Sequence, residues 1–251
     1  MKIKIVSTFS DAGYEEYGRN FIESCRQYLS KDITLTLYVD NVKIFPDSNM
    51  EILSYDSVIP EMKFFRERHK DKPVDNFIYN GVKFAYKSYA MCHASKQNDC
   101  DILIWLDADT VLQSYIDSKY LLQFLKPNKF AGYIGRKGAP ETGFIIFDLR
   151  NPNANIFFDT FKKYYDADEV YQLSEYHDAF VFKHLIDKFE SEKLLEGINL
   201  IEGQKVKHPL NFLFDSNIIH YKGEHKSKDA IHAHQEYKKR NKIGKYANGK
   251  S

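Results

Sequence analysis

Between Asp101 and Leu112 the chain reads DILIWLDADTVL, and no other stretch limits its fold so sharply. Ile102 to Leu106 is an unbroken apolar run rich in β-formers and too short for an independent helix. It predicts a strand buried on both faces, as in a parallel or mixed sheet. The run leads directly into Asp107-Ala108-Asp109. Residues two apart on a strand point the same way, so both carboxylates are expected to leave the strand end together. Such a pair is costly without a partner, and a divalent cation is the usual one. Ligands also bind at the carboxyl ends of strands in open α/β sheets. The pair therefore reads as a metal site; taken alone, it also fits a solvated turn with aspartate supplying turn chemistry.

The rest of the chain supplies a sheet for this strand. Lys2 to Phe9 alternates into a first strand, Tyr17, Phe21, Cys25 and Leu29 recur every four residues on a helix, and Ile33 to Val39 is a second strand. This β-loop-α-β order opens an α/β sheet. In the loop after the first strand, Ser7, Thr8 and Tyr14 are available for a base or ribose, and ordinary turn residues would look the same. Residues 41–75 are less regular; the basic-aromatic run Phe64 to Lys70 fits a mobile excursion over the site or a solvated helical face. Asn76 to Lys96 predicts a helix carrying Lys83 and Lys87 on one face. Ile116 to Leu125 reads as a short helix and Phe130 to Arg136 as a strand. Glu141-Thr142-Gly143 is a polar entry to another apolar strand, where glycine admits close approach of a ligand. A helix follows through Phe157, Phe158, Phe161 and Tyr164, and a second from Ala179 to Phe189 with Asp178 expected as its N-cap. Leu200-Ile201 and Asn211 to Phe214 look strand-like, and Ser216 to Ile219 leads to His220. Residues 1–225 are expected to form one domain, followed by a polar, lysine-rich tail, 226–251, with little to bury.

Composition excludes more than it identifies. A formal net charge of +1 gives no case for nonspecific nucleic-acid binding by the whole chain. Aromatic residues at 15 % suit a site that grips rings or sugars, or a core. Three cysteines without CxxC spacing predict reduced thiols and a cytoplasmic-type compartment. Neither a signal-peptide apolar core nor a window of membrane-spanning length is expected.

Four motifs, in order, resemble the glycogenin-like group, glycosyltransferase family 8. Asp107-Ala108-Asp109 after an apolar strand is similar to its Asp-x-Asp metal motif. Glu141-Thr142-Gly143-Phe144 is similar to its small-residue-Gly-apolar strand entry. Tyr176-His177-Asp178 stands where the family carries Asp-Gln-Asp beside the donor sugar, with only the last position kept. His220-Tyr221-Lys222-Gly223-Glu224-His225-Lys226 has its His-x-x-Gly-x-x-Lys spacing.

The resemblance implies a GT-A (Rossmann-like) fold, an open mixed α/β sheet flanked by helices in a single domain. It implies Mn²⁺ (or Mg²⁺) held by Asp107, Asp109 and His220, and the carboxylate-imidazole set suits Mn²⁺ better than an all-oxygen Mg²⁺ site. Ala108, Glu141, Gly143, Gly223 and Lys226 would line the donor and its diphosphate, with Lys87 and Asp178 as catalytic candidates beside the donor sugar. The implied reaction moves a sugar from a nucleotide-sugar donor, UDP-linked by family expectation, with retention of configuration. The acceptor is open between a glycan, a lipid-linked sugar, a protein and a modified nucleic acid, and the oligomeric state is likewise open. Two other classes compete. Asp107-Ala108-Asp109-Thr110 also matches the nucleophile motif of haloacid-dehalogenase-like phosphatases, which would make Asp107 the phosphorylated residue. A non-catalytic sugar-nucleotide binder is the third.

Overall fold

The apolar run Ile102–Leu106 is strand β4, and in the computed structural model it is buried along its whole length. The structure describes residues 1–204 and 206–221. Before β4 come β1 (Ile3–Thr8), β2 (Ile33–Val39) and β3 (Met50–Ser54); after it come β5 (Thr110–Leu112), β6 (Ala131–Ile134), β7 (Glu141–Asp148), β8 (Gly197–Asn199) and β9 (Ile218–His220). Seven of them form one sheet in the order β3-β2-β1-β4-β7-β6-β8. β1 runs parallel to β2 and β4, and β2 parallel to β3, whereas β7 is antiparallel to both β4 and β6. The sheet is thus mixed, with β4 at the change of direction.

Alternation along β4 explains how one strand serves two cores. Leu103 and Trp105 face a cluster built with α4 (Pro60–His69), α5 (Gly81–Ser95), α7 (Ala154–Asp166) and α8 (Asp178–Ser191). Ile102, Ile104 and Leu106 face the other, which takes in α2 (Arg19–Tyr28), α6 (Ser118–Leu122) and α9 (Pro209–Leu213). The short helices α1 (Asp11–Gly13) and α3 (Tyr55–Val58) complete the set; a π-helical turn, Tyr14–Gly18, joins α1 to α2. Much of the aromatic content goes into these cores: Phe157 packs on Phe130, Phe158, Phe182 and Phe189, and Tyr38, Tyr55, Tyr89 and Tyr165 are fully buried. Each such ring contributes roughly 1.5–3 kcal/mol by burial.

Several elements differ from the sequence reading. Residues 41–75 hold an edge strand, β3, and the run at Phe64 is part of α4, whose Met62, Phe65 and His69 are buried while Phe64 is solvated. Ile116 sits in a β-bridge to Leu29, and the following helix is only Ser118–Leu122, capped by Asp117. Asn211 to Phe214 is not a strand: Pro209 opens α9, as a proline in the first turn favours. Asp178 is not the N-cap of α8; His177 holds that extended position, and the Asp178 carboxylate turns inward. No helix among the described residues is long and apolar enough to cross a membrane.

A candidate metal centre beside a buried lysine

The chain leaves β4 in a turn, with Thr110 N–H donating to the Asp107 carbonyl at 3.2 Å, so the two carboxylates do not simply continue a strand. They are joined by a residue far along the chain. β9 pairs antiparallel with β5, Thr110 opposite His220, and Tyr221 N–H donates to the Asp109 carbonyl at 2.9 Å. Asn211 on α9 fixes the end of that ribbon by accepting from His220 N–H at 2.7 Å. His220 Nε2 then lies 2.9 Å from Asp109 Oδ1.

Asp107, Asp109 and His220 offer one ligand atom each, all within 4.8 Å of one another. Two carboxylates and an imidazole converging at that spacing fit a divalent cation of the Mn²⁺ type by donor chemistry. Gly143 makes the approach possible: a Cβ there would meet Leu210 Cδ1 at 2.9 Å, His220 Cε1 at 3.2 Å and Asp107 Oδ2 at 3.3 Å. Glu141, buried on the same strand, places Oε1 4.0 Å from His220 Nδ1 and accepts from Arg136 at 3.2 Å.

Lys87 forms the other half of the site. It is 8 % exposed, and its Nζ reaches Asp107 Oδ1 at 3.1 Å, Asp178 Oδ2 at 2.8 Å and the Thr142 carbonyl. Those three acceptors use all three ammonium donors. The ammonium also stands 4.9 Å from the Trp105 ring, whose Nε1 donates to Asp107 Oδ1. Thr142 Oγ1 donates to Asp178 Oδ2 at 2.6 Å. Burial disfavours the charged forms throughout, and the outcomes diverge. For Lys87 the two carboxylates outweigh burial and hold its pKa above the ordinary value. For Asp178 burial is likewise outweighed, by Lys87 and the Thr142 hydroxyl, and its pKa is lowered. For Asp107 burial, with Asp109 beside it, prevails over Lys87 and pushes the carboxyl up, although its side chain keeps 30 % exposure.

These groups lie on the floor of a cleft of about 630 Å³. A second cleft, of about 710 Å³, opens beside it, and Thr8, Tyr17, Lys83 and Tyr86 line both. Ala108 and Glu141 line the first cleft, as expected. Ser7 does not reach either; it is buried and donates to the Leu106 carbonyl at 2.7 Å. Tyr14 also stands outside both, stacked on Phe9 under Arg19, because the π-helical turn carries Tyr17 to the cleft instead. Sequence reasoning missed Tyr17, which it counted only as a core position, and missed Arg136, Thr142 and the Asn211 clamp. Gly223 and Lys226, with the tail 226–251, lie outside the described residues.

No family model and no curated protein matches the sequence. Solved structures do match the fold. The bifunctional glycosyltransferase WbbM is similar over 88 % of this chain and 46 % of its own, at 13 % identity and a TM-score of 0.53. The glycosyltransferase GlyE of Streptococcus pneumoniae TIGR4 is similar over 90 % of this chain and 56 % of its own, at 10 % identity and a TM-score of 0.51. Mouse xyloside xylosyltransferase 1 is similar over 90 % of this chain and 99 % of its own, at 10 % identity and a TM-score of 0.50. The chain thus spans about half of the first two and nearly all of the third. At these identities the likeness is one of fold, and the fold is that of the GT-A glycosyltransferases.

Proposed function

We propose that the protein is a metal-dependent glycosyltransferase of glycogenin-like type, moving a sugar from a UDP-linked donor with retention of configuration. The observation that carries this reading is the convergence of Asp107, Asp109 and His220 within 4.8 Å at the carboxyl end of β4, on a cleft floor. When bound there, Mn²⁺ would supply charge against the diphosphate leaving group. Asp107 and Asp109 orient oxygen ligands, and His220 presents an imidazole nitrogen fixed by the β5–β9 ribbon. The second cleft, rimmed by Thr8, Tyr17 and Asp40, takes the nucleoside. Lys87 places a permanent positive charge beside Asp107 and keeps Asp178 ionised and turned into the first cleft, where the donor sugar would lie. Electrostatic preorganisation of this kind acts without reorganisation during the reaction.

The GT-A sheet around the Asp107-Ala108-Asp109 turn supports this reading over the phosphatase one. Calorimetry of UDP with and without Mn²⁺ tests the proposal. Binding that depends on the metal is expected; equal affinity in EDTA would refute it. NMR of the product's anomeric proton tests retention, and a β-linkage made from an α-linked donor would exclude it.

A further inference from the structure

One wall of the cleft that holds the candidate metal centre is aromatic and open. Phe77 lines it on a 3₁₀ turn, Phe77–Tyr79, and is 59 % exposed. An exposed phenylalanine on a surface is ordinary by itself. This one is held in place: Asn76 caps the turn through Ile78 N–H at 3.2 Å, and Tyr176 N–H donates to the Ile78 carbonyl at 3.0 Å. That second bond ties the turn to the segment entering α8, so Phe77 stands beside His177. The two rings are nearly parallel, 21° apart with centroids at 6.5 Å, and Phe84 meets Phe77 edge-on at 5.1 Å. His177 is itself oriented by Glu175, at 2.7 Å from Nε2. The same cleft also carries polar groups: Lys83 Nζ stands 5.9 Å from the Phe77 centroid, and Arg136 and Asp178 line the cleft.

We propose that Phe77, propped by Phe84 and His177, is a stacking platform for a pyranose ring of the acceptor, which makes the acceptor a carbohydrate; this rests on the transferase reading above. A pyranose has an apolar face of axial C–H bonds and a rim of hydroxyls. The open aromatic ring matches the first, and Lys83, Arg136 and Asp178 match the second. A lipid chain or apolar peptide would strip water from these charged groups and return no hydrogen bond. A cleft of about 630 Å³ has room for an acceptor ring besides a donor sugar.

Saturation-transfer NMR with methyl β-glucopyranoside and methyl β-galactopyranoside, with and without UDP and Mn²⁺, tests the platform. Transfer is expected to concentrate on axial ring protons. It should weaken about tenfold in affinity in Phe77→Ala, the scale of losing one stacked ring, and return in Phe77→Trp. Because Phe77 is exposed, its replacement leaves the core intact. No transfer to either sugar, undiminished transfer in Phe77→Ala, or preferential transfer to free adenosine would overturn the platform. The donor reading is judged separately by the UDP calorimetry. Metal-dependent UDP binding without pyranoside transfer sinks the platform alone; pyranoside binding through Phe77 without UDP binding sinks the transferase reading alone.

Discussion

Among the described residues two lysines are buried around this sheet, one at each end, and they do different work. Lys4, on β1, is 3 % exposed and pairs with Asp99 and with Glu51 at 3.5 Å. Both partners keep more than 40 % of their side-chain surface in water, 46 % and 43 %. Lys87 pairs instead with Asp178, 9 % exposed, and Asp107, 30 % exposed. At the amino end, water relaxes around the carboxylates and either partner is dispensable. At the carboxyl end each charge depends on the others, because little solvent is available to replace a missing partner. The same residue type is therefore a solvated clasp in one place and the keystone of a charged site in the other.

The largest contrast is in function. Asp109→Ala should abolish turnover and weaken Mn²⁺ binding by more than about 100-fold, beyond the usual cost of an outer-shell loss, while leaving unfolding by urea cooperative. No substitution at Asp99 or Glu51 should change Mn²⁺ affinity measured by calorimetry; if one did, the two ends would not be separable. Stability gives the next contrast. Lys87→Met leaves Asp178 buried without its cation and should cost about 3–5 kcal/mol in urea unfolding. Lys4→Met leaves its partners in water and should cost about 1 kcal/mol or less.

The pH profile sharpens the same comparison. Asp178 has a lowered pKa in the fold, so its contribution is complete above its unfolded pKa of about 4 and is lost as pH falls through the folded value. Lys87 has a raised pKa, so its contribution is complete below its unfolded pKa of about 10.4 and is lost as pH rises through the folded value. Because Lys87→Met leaves burial free to push the Asp178 and Asp107 carboxyls up, the stability difference from wild type should be largest near neutral pH, shrinking as pH falls through the carboxyl range and as it rises through the folded pKa of Lys87. Two further substitutions probe the fit of the carboxyl end. Thr142→Val, which removes one hydrogen bond to the Asp178 carboxylate, should cost about 1.5–3 kcal/mol by urea unfolding. Gly143→Ala should cost about 1–3 kcal/mol through crowding of Leu210, and should lower Mn²⁺ affinity by displacing Asp107 and His220.

What could be read from the sequence follows from what each part depends on. β4 and β7 were legible because burial on both faces writes continuous apolar runs into a strand, Ile102–Leu106 and Phe144 to Phe147, and β1 and β2 through their β-branched and alternating residues. β3 was not, since an edge strand buries less and carries mixed residues. Asp107, Asp109 and His220 were legible through motif spacing. The inward turn of Asp178 was not, because an aspartate before an apolar helix looks the same whether it caps the helix or meets a lysine from another one. Lys87 on α5 looked like any solvated helical lysine until tertiary contacts enclosed it. The helix at Pro209 did carry a signal, the proline itself, which outweighs the strand-like look of the residues after it.

The β5–β9 ribbon has a consequence for the order in which this molecule is made. Its first strand follows the central strand directly, and its second comes near the end of the described chain, so Asp107 and Asp109 emerge from the ribosome long before His220. A nascent chain can assemble the parallel half of the sheet with the Lys87 ammonium already beside Asp107, before His220 is made. Only when β9 docks against β5 do the three candidate ligands come together. On the metal-centre reading, metal affinity would report on the docking of β9 against β5, and a chain ending before His220 would lack the third candidate ligand.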